Sequence, residues 1–212
     1  MARPRARRRR AARQPGARAP VRPAPGGGVT GVRIYLVRHG RPSATFAEAA
    51  DAGLDPAGAA QAEATADRLA PLGPLAIVAS PMRRTRETAA PLERRWRLAA
   101  RIEPAVSEIP SPGLGVAERG AWLRRVMAQR WSEQDAALAA WRRGVLEALS
   151  SLAEPTVVVS HFIAINVAVG AALGDDRVAA FSPDHCSVTV LDVAGGRFAL
   201  VELGAQAATG VR

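Results

Sequence analysis

The 212-residue chain contains no lysine, so all 29 of its strongly basic side chains are arginines. With its abundant Ala, Gly and Pro, this points to a GC-rich, bacterial coding sequence. It has a single cysteine, Cys186, which excludes an intramolecular disulfide and a cysteine-based zinc framework. That cysteine begins the alternating run Cys186-Ser187-Val188-Thr189-Val190-Leu191 and reads as a small buried thiol in a strand. Three scattered histidines and one cysteine offer no metal-ligand spacing, so no metal is expected. No stretch approaches the roughly 18 apolar residues of a membrane span. No apolar segment follows the N-terminal arginines as it does in a secretory leader. The expected location is the cytoplasm, with no membrane partner.

The formal charge of +10 is unevenly placed. Residues 1–28 hold nine arginines and no acidic residue, a contribution of +9. The other 184 residues carry 20 arginines and 19 Asp+Glu, a net of +1. The first segment is rich in Arg, Pro, Ala and Gly and cannot bury enough surface to offset chain entropy. It is expected to be a disordered tail. Arg7-Arg8-Arg9-Arg10 could touch the phosphates of a nucleic acid, but a charge run is read first as a solvated extension. Residues 29–212, with 48% of the whole chain hydrophobic, suit one α/β domain with a full core.

Strand-like and helical patterns alternate along that domain. The first strand is Gly31–Val37. After a loop, Asp55-Pro56 opens a helix, with Asp as cap and Pro in the first turn, running to about Leu69. Pro71-Leu72-Gly73-Pro74 breaks it before a short buried strand, Leu75–Ala79. Ser80-Pro81 repeats the cap-then-proline signal for a helix reaching about Arg95, and a weaker strand lies near Leu98–Ile102. Ser107–Gly115 is irregular. Val116–Leu152 is helical, with Leu138, Trp141, Val145, Leu149 and Leu152 on one apolar face. Trp122, Val126 and Trp131 join that packing. Thr156–Ser160 is strongly strand-like, Phe162–Leu173 reads as a helix, and Ser187–Val193 and Arg197–Leu203 form a hairpin about Gly195-Gly196. The fold class expected is α/β: a three-layer α/β/α sandwich with a mainly parallel sheet, an antiparallel edge and a small helical cap insertion at about 108–155.

Two of these strands end in a histidine, His39 and His161, and a third ends in an arginine-rich turn. The carboxyl ends of parallel strands share one rim, so these groups can meet there. Imidazole is a nucleophile towards phosphorus, a guanidinium fork matches phosphate oxygens, and Gly40 allows close backbone approach.

Leu36-Val37-Arg38-His39-Gly40, Gly53-Leu54-Asp55-x-x-Gly58-x-x-Gln61-Ala62 at the turn into the first helix, Ser80-Pro81-Met82-x-Arg84-Thr85-x-x-Thr88-Ala89 and Val159-Ser160-His161 follow one another along the chain. Together they resemble the histidine phosphatase superfamily, also called phosphoglycerate mutase-like, over about residues 31–203. The resemblance implies a metal-independent phosphatase without cofactor, acting on phosphomonoesters through a phosphohistidine. It makes His39 the nucleophile, Arg38 and Arg84 the phosphoryl clamp, His161 a further donor, and Glu108 the proton donor. A carboxyl facing a dianionic phosphate has its pKa raised, as a general acid requires. Glu118 and Glu133 are the alternatives to Glu108, and Arg83 and Arg86 flank Arg84. Arg41-Pro42-Ser43-Ala44-Thr45 departs from the family's Arg-His-Gly-Glu-Thr continuation and later Asn. Thr45 or Ser43 would then replace an amide donor. Phe162 stands where Gly is frequent, and Glu87 where Gln is common. His185 matches no motif and reads as the start of a strand, not a ligand.

Two other readings stay open: a mutase, and a weakly catalytic module that binds phosphate or a phosphoprotein. The segment after Glu108 is short and lacks the mutase-like Phe-Gly-x-Trp-Glu-Gly pattern, which favours hydrolysis. The partner expected is a small phosphorylated substrate or a phosphoprotein. Its choice would fall to Arg41–Ala52 and Pro110–Leu152, neither of which carries a readable code.

Overall fold

A computed structural model describes residues 31–207 except 46, 47, 50 and 112; the arginine-rich tail, 1–28, lies outside the described residues. The strands are β1 (Val32–Arg38), β2 (Ala76–Ala79), β3 (Arg101–Ile102), β4 (Thr156–Ser160), β5 (Val188–Ala194) and β6 (Arg197–Glu202). The helices are α1 (Pro56–Leu69), α2 (Arg83–Trp96), α3 (Val116–Met127), α4 (Ala136–Ser150) and α5 (Phe162–Leu173). One sheet runs in the order β3-β2-β4-β1-β5-β6. The pairs β2–β3, β2–β4 and β1–β4 are parallel, while β1–β5 and β5–β6 are antiparallel.

The period of two along each inner strand sends alternate side chains into two cores. Val37, Ile77, Ala79, Val157 and Val159 face α1 and α2, where they pack with Ala66, Leu69, Leu92 and Trp96. Ile34, Leu36, Val78, Val158 and Leu191 face the other way, onto Val126 of α3, Val145 and Leu149 of α4, and α5. Apart from Asn166, whose amide is hydrogen-bonded to Phe162, Ala180 and Phe181, the helix α5 is apolar all round, and nine of its residues, Phe162 to Gly170, are buried. A helix without a polar face is stable only in such a position. All five residues of β4 are buried, and each large aliphatic side chain that β4 and α5 withdraw from water contributes about 1.5–3 kcal/mol. Their junction is where His161 sits.

Asp55 caps α1 as its spelling predicts, its carboxylate accepting from the Gly58 N–H at 2.7 Å. Ser80 does not cap α2. The helix begins at Arg83 after Met82. The Ser80 hydroxyl is instead turned onto His161, because Ala79-Ser80 is still held beside β4 by the Ser80 N–H to Val159 carbonyl bond, 3.1 Å. The weak strand near Leu98–Ile102 shortens to two residues, Arg101–Ile102, since the chain up to Leu98 is occupied in closing α2 about Arg97, which has φ of 55°. Cys186 is buried but precedes β5, in a turn with φ of 56°. The alternating pattern runs through it, yet its N–H is taken by the carbonyl of Arg38 at 3.0 Å and sets the turn. Gly195-Gly196, with φ of 55° and 75°, forms the β5–β6 turn, a conformation open to glycine without strain.

Candidate active site

The register of the two central strands brings the histidines together. In the parallel pair β1–β4, Arg38 is opposite Ser160, so the next residues, His39 and His161, leave adjacent strand ends side by side. Their ring centroids are 5.2 Å apart. The His39 N–H donates to the Ser160 carbonyl at 3.0 Å, which continues the ladder one step past β1.

Each ring is held in one tautomer. The Nδ1 of His39 lies 2.9 Å from the Gly40 carbonyl, an acceptor only, so Nδ1 carries the hydrogen and Nε2 the free lone pair. The Nδ1 of His161 lies 3.2 Å from the Arg84 guanidinium, a donor only, so it accepts. The hydrogen of His161 is therefore on Nε2, which donates to Ser80 Oγ at 2.8 Å. Burial is the main force holding both rings neutral, well below the ordinary histidine value. The nearby Arg84 and Arg38 add to it, as does His161 in the case of His39.

Two guanidinium groups border these rings. Arg38 is 9% exposed, donates from Nη1 to the Pro183 carbonyl at 2.9 Å, and lies over the Phe162 ring at 5.3 Å. Phe162 thus supplies an aromatic floor to the cation. Burial lowers Arg38 to about 10, which leaves it charged at neutral pH. Among the described residues its buried Nε has no hydrogen-bond partner. A buried donor without an acceptor is costly, and in a cationic pocket it suits an anion's oxygen. Arg84 is also buried, while Arg83 is exposed and bound to Glu87, and Arg86 is exposed. Rotation of about 100° per helical residue gives only Arg84 the inward direction.

Glu108 is placed by the other layer. Its Oε1 accepts from the Ile109 N–H at 3.0 Å and from the Ile163 N–H, in the first turn of α5, at 3.3 Å. Burial still raises its pKa, against those bonds and the attraction of Arg84 and Arg38. The alternatives are used elsewhere: Glu118 accepts from the Gly115 N–H and Glu133 from the Arg130 N–H, each closing its own helical turn on the surface.

The loop after His39 is fastened from three sides. Gly40 N–H donates to Thr88 Oγ1 at 2.9 Å, and Arg41 N–H to Gln61 Oε1 at 2.9 Å. A Cβ on Gly58 would lie 2.1 Å from the Arg41 carbonyl, so this close approach requires glycine. The Gly58–Gln61 motif is therefore a mount for the nucleophile's loop. Glu87 accepts from the Leu54 N–H at 2.6 Å and from Arg83, a role that a carboxylate fills. Ser43 and Thr45 are turned onto their own loop: Ser43 Oγ donates to the Gly53 carbonyl at 3.2 Å, and Thr45 Oγ1 to Glu48 at 2.8 Å. Neither hydroxyl bonds to the histidine–arginine cluster.

Sequence reasoning missed two members. Ser80 orients His161. The ring of His185 lies 5.8 Å from that of His39. The signal for His185 was available: a strand antiparallel to β1, as β5 is, must start at the rim where β1 ends. Among the described residues no three His, Cys, Asp or Glu side chains are grouped to hold a metal ion. A cleft of about 520 Å³ opens at the opposite, amino end of β2 and β4, beside Leu75, Leu98 and Leu152, and contains none of these groups. Among the described residues no helix is long and apolar enough to cross a membrane.

Comparison with known proteins bears on this geometry. The family model described as the histidine phosphatase superfamily (branch 1) matches residues 34–206. An uncharacterized protein of Mycobacterium tuberculosis is 38% identical over 80 residues, 36% of this chain and 40% of that protein. The match therefore spans well under half of that relative's length. A mycobacterial glucosyl-3-phosphoglycerate phosphatase complexed with VO3 is 25% identical, with a TM-score of 0.63, over 82% of this chain and 100% of that one. Phosphoserine phosphatase from Entamoeba histolytica shares the fold at 18% identity and a TM-score of 0.65, over 82% of this chain and 98% of that one.

Proposed function

The chain belongs to branch 1 of the histidine phosphatase superfamily, and on that footing we propose that it is a cytoplasmic, metal-independent phosphatase of small phosphomonoesters. The observation that carries this reading is the free Nε2 of His39, presented in a pocket with Arg38, Arg84 and His161.

In the reaction proposed, the phosphoryl group lies against Arg38 and Arg84, its oxygens accepting from guanidinium N–H groups, including the unpaired Arg38 Nε. The Nε2 lone pair of His39 attacks phosphorus as the ester P–O bond breaks. Glu108, whose burial favours the protonated form, gives its proton to the departing alkoxide oxygen. The His39 Nδ1–H to Gly40 bond supports the positive charge that develops on the ring. Glu108, now a carboxylate, takes a proton from water as the hydroxide attacks phosphorus. The P–N bond breaks, inorganic phosphate leaves, and Glu108 is again the acid. The arginines supply the positive charge that stabilises the transferring group. Small substrates are supported by the named activity of the 25% identical mycobacterial phosphatase.

His39→Ala is the test. It is expected to lower hydrolysis of 4-nitrophenyl phosphate by more than about 10³-fold, as loss of a nucleophile does, and to abolish acid-labile phosphate labelling. Labelling retained by His39→Ala, or turnover near the wild-type rate, would overturn the reading.

A further inference from the structure

We propose that His185 is a substrate-contacting residue of this site, donating a ring N–H to the bound phosphomonoester at the mouth of the pocket. The inference rests on the reading of His39 as nucleophile and adds a recognition group to it.

Position comes first. The His185 ring is 5.8 Å from that of His39, little farther than the 5.2 Å to His161. An oxygen on a phosphoryl group carried by His39 can accept from a neighbouring ring at about 2.9 Å across such a gap. The backbone of this residue is also fixed. The Arg38 N–H donates to the Ser187 carbonyl at 3.2 Å, the Cys186 N–H to the Arg38 carbonyl at 3.0 Å, and Arg38 Nη1 to the Pro183 carbonyl at 2.9 Å. The turn that carries His185 is thus tied to the residue preceding the nucleophile.

The ring differs from its neighbours in being unused. Among the described residues neither nitrogen of His185 makes a hydrogen bond, whereas His39 and His161 are both bonded. The nearest carboxylate oxygen, Asp184 Oδ1, is 4.0 Å from its Nδ1 and accepts instead from the His185 backbone N–H at 2.7 Å. Exposure separates the three as well. His161 is fully buried, while the side chain of His185 is 23% exposed and so open to the part of a substrate that lies outside the pocket.

The charges around the ring agree with this role. Burial, with Arg38 and Arg41 facing it, brings His185 down to about 4 against the pull of Asp184 and Asp55. The ring is therefore neutral and keeps one N–H and one lone pair. A phosphate dianion would offset the two arginines and favour the donor.

The test uses the full chain and inorganic phosphate. In wild-type protein, saturating phosphate is expected to move the His185 ring nitrogen resonances, read by ¹⁵N NMR. His185→Ala is expected to raise both KM for 4-nitrophenyl phosphate and the inhibition constant of phosphate by about tenfold, the loss of one hydrogen bond to a charged group, with His185→Gln recovering part. A His185 resonance unmoved at saturating phosphate, or constants within twofold of wild type in His185→Ala, would overturn the proposal while leaving the phosphohistidine on His39 intact. Failure of wild-type protein to form the phosphoenzyme would overturn the reading of His39 instead.

Discussion

Glu108→Gln separates the two halves of the reaction. Glutamine keeps an oxygen to accept from the Ile109 and Ile163 N–H groups, so the start of α5 retains its partners. What is lost is the proton. General acid–base catalysis contributes about 10²–10⁴-fold, or about 3–5 kcal/mol at 1.36 kcal/mol per tenfold. For an alkyl phosphate, whose alkoxide needs that proton to depart, kcat/KM is expected to fall by the full factor. For 4-nitrophenyl phosphate the phenolate leaves without help, so the first step is expected to lose about tenfold at most. The second step still lacks its base, and phosphohistidine should accumulate. Rapid-quench measurement of the nitrophenolate burst and of acid-labile phosphate reads both.

The fold responds in the opposite direction. Burial raises Glu108 above the ordinary carboxyl value of 4.5, so the folded state prefers it neutral, and stability is lost as pH rises through the folded pKa. The always-neutral glutamine removes that loss, and the variant should melt higher than wild type at neutral pH. Equal losses on the alkyl and aryl substrates, with no phosphoenzyme accumulating, would refute the assignment of the acid.

Ser80→Ala takes away the acceptor of the His161 Nε2–H and leaves a buried donor unpaired. Urea unfolding should show a loss of about 1–3 kcal/mol, with the His161 tautomer no longer fixed in its ring NMR signals. Gly58→Ala forces a methyl against the Arg41 carbonyl. Overpacking of this kind costs about 1–3 kcal/mol, and because the displaced loop carries His39, kcat should fall further than stability alone accounts for. His39 and His161 are both held below the ordinary value of 6.5, so the folded state binds fewer protons than the unfolded chain. The stability they contribute is present above about pH 6.5 and is lost as pH falls below it. Urea midpoints followed down through that pH should decline, and less steeply in His39→Ala.

Much of this arrangement was readable from local spelling. Arg38-His39 and Ser160-His161 follow the two most strand-like runs of the chain, and Asp55-Pro56 starts α1 where its cap requires. Apolar pattern located α4 and α5 through Leu138, Val145 and Leu149, and through a run from Phe162 to Gly170 interrupted at Asn166 alone. Local spelling failed where a residue's role depends on a partner remote in the chain. Ser80-Pro81 has the form of a helix cap, but the acceptor it provides is used by a ring 81 positions away. Glu108, Glu118 and Glu133 are alike as letters. Burial beside α5 distinguishes the first, and helix capping the other two. Ser43 and Thr45 carry suitable hydroxyls, yet their nearest acceptors lie within their own loop.

Sequence alone determined the strand and helix periods, the cap of α1, and the residues standing at the ends of β1 and β4, because these follow from side-chain pattern and backbone preference within a few positions. The tertiary structure decided the insertion of β4 between β2 and β1, the inward turn of Arg84 among three neighbouring arginines, and the approach of Ser80 and His185 to the histidines. Those depend on which strands pair and in what register. Pairing is settled by burying both sheet faces at once, a condition on the whole chain that no short segment carries.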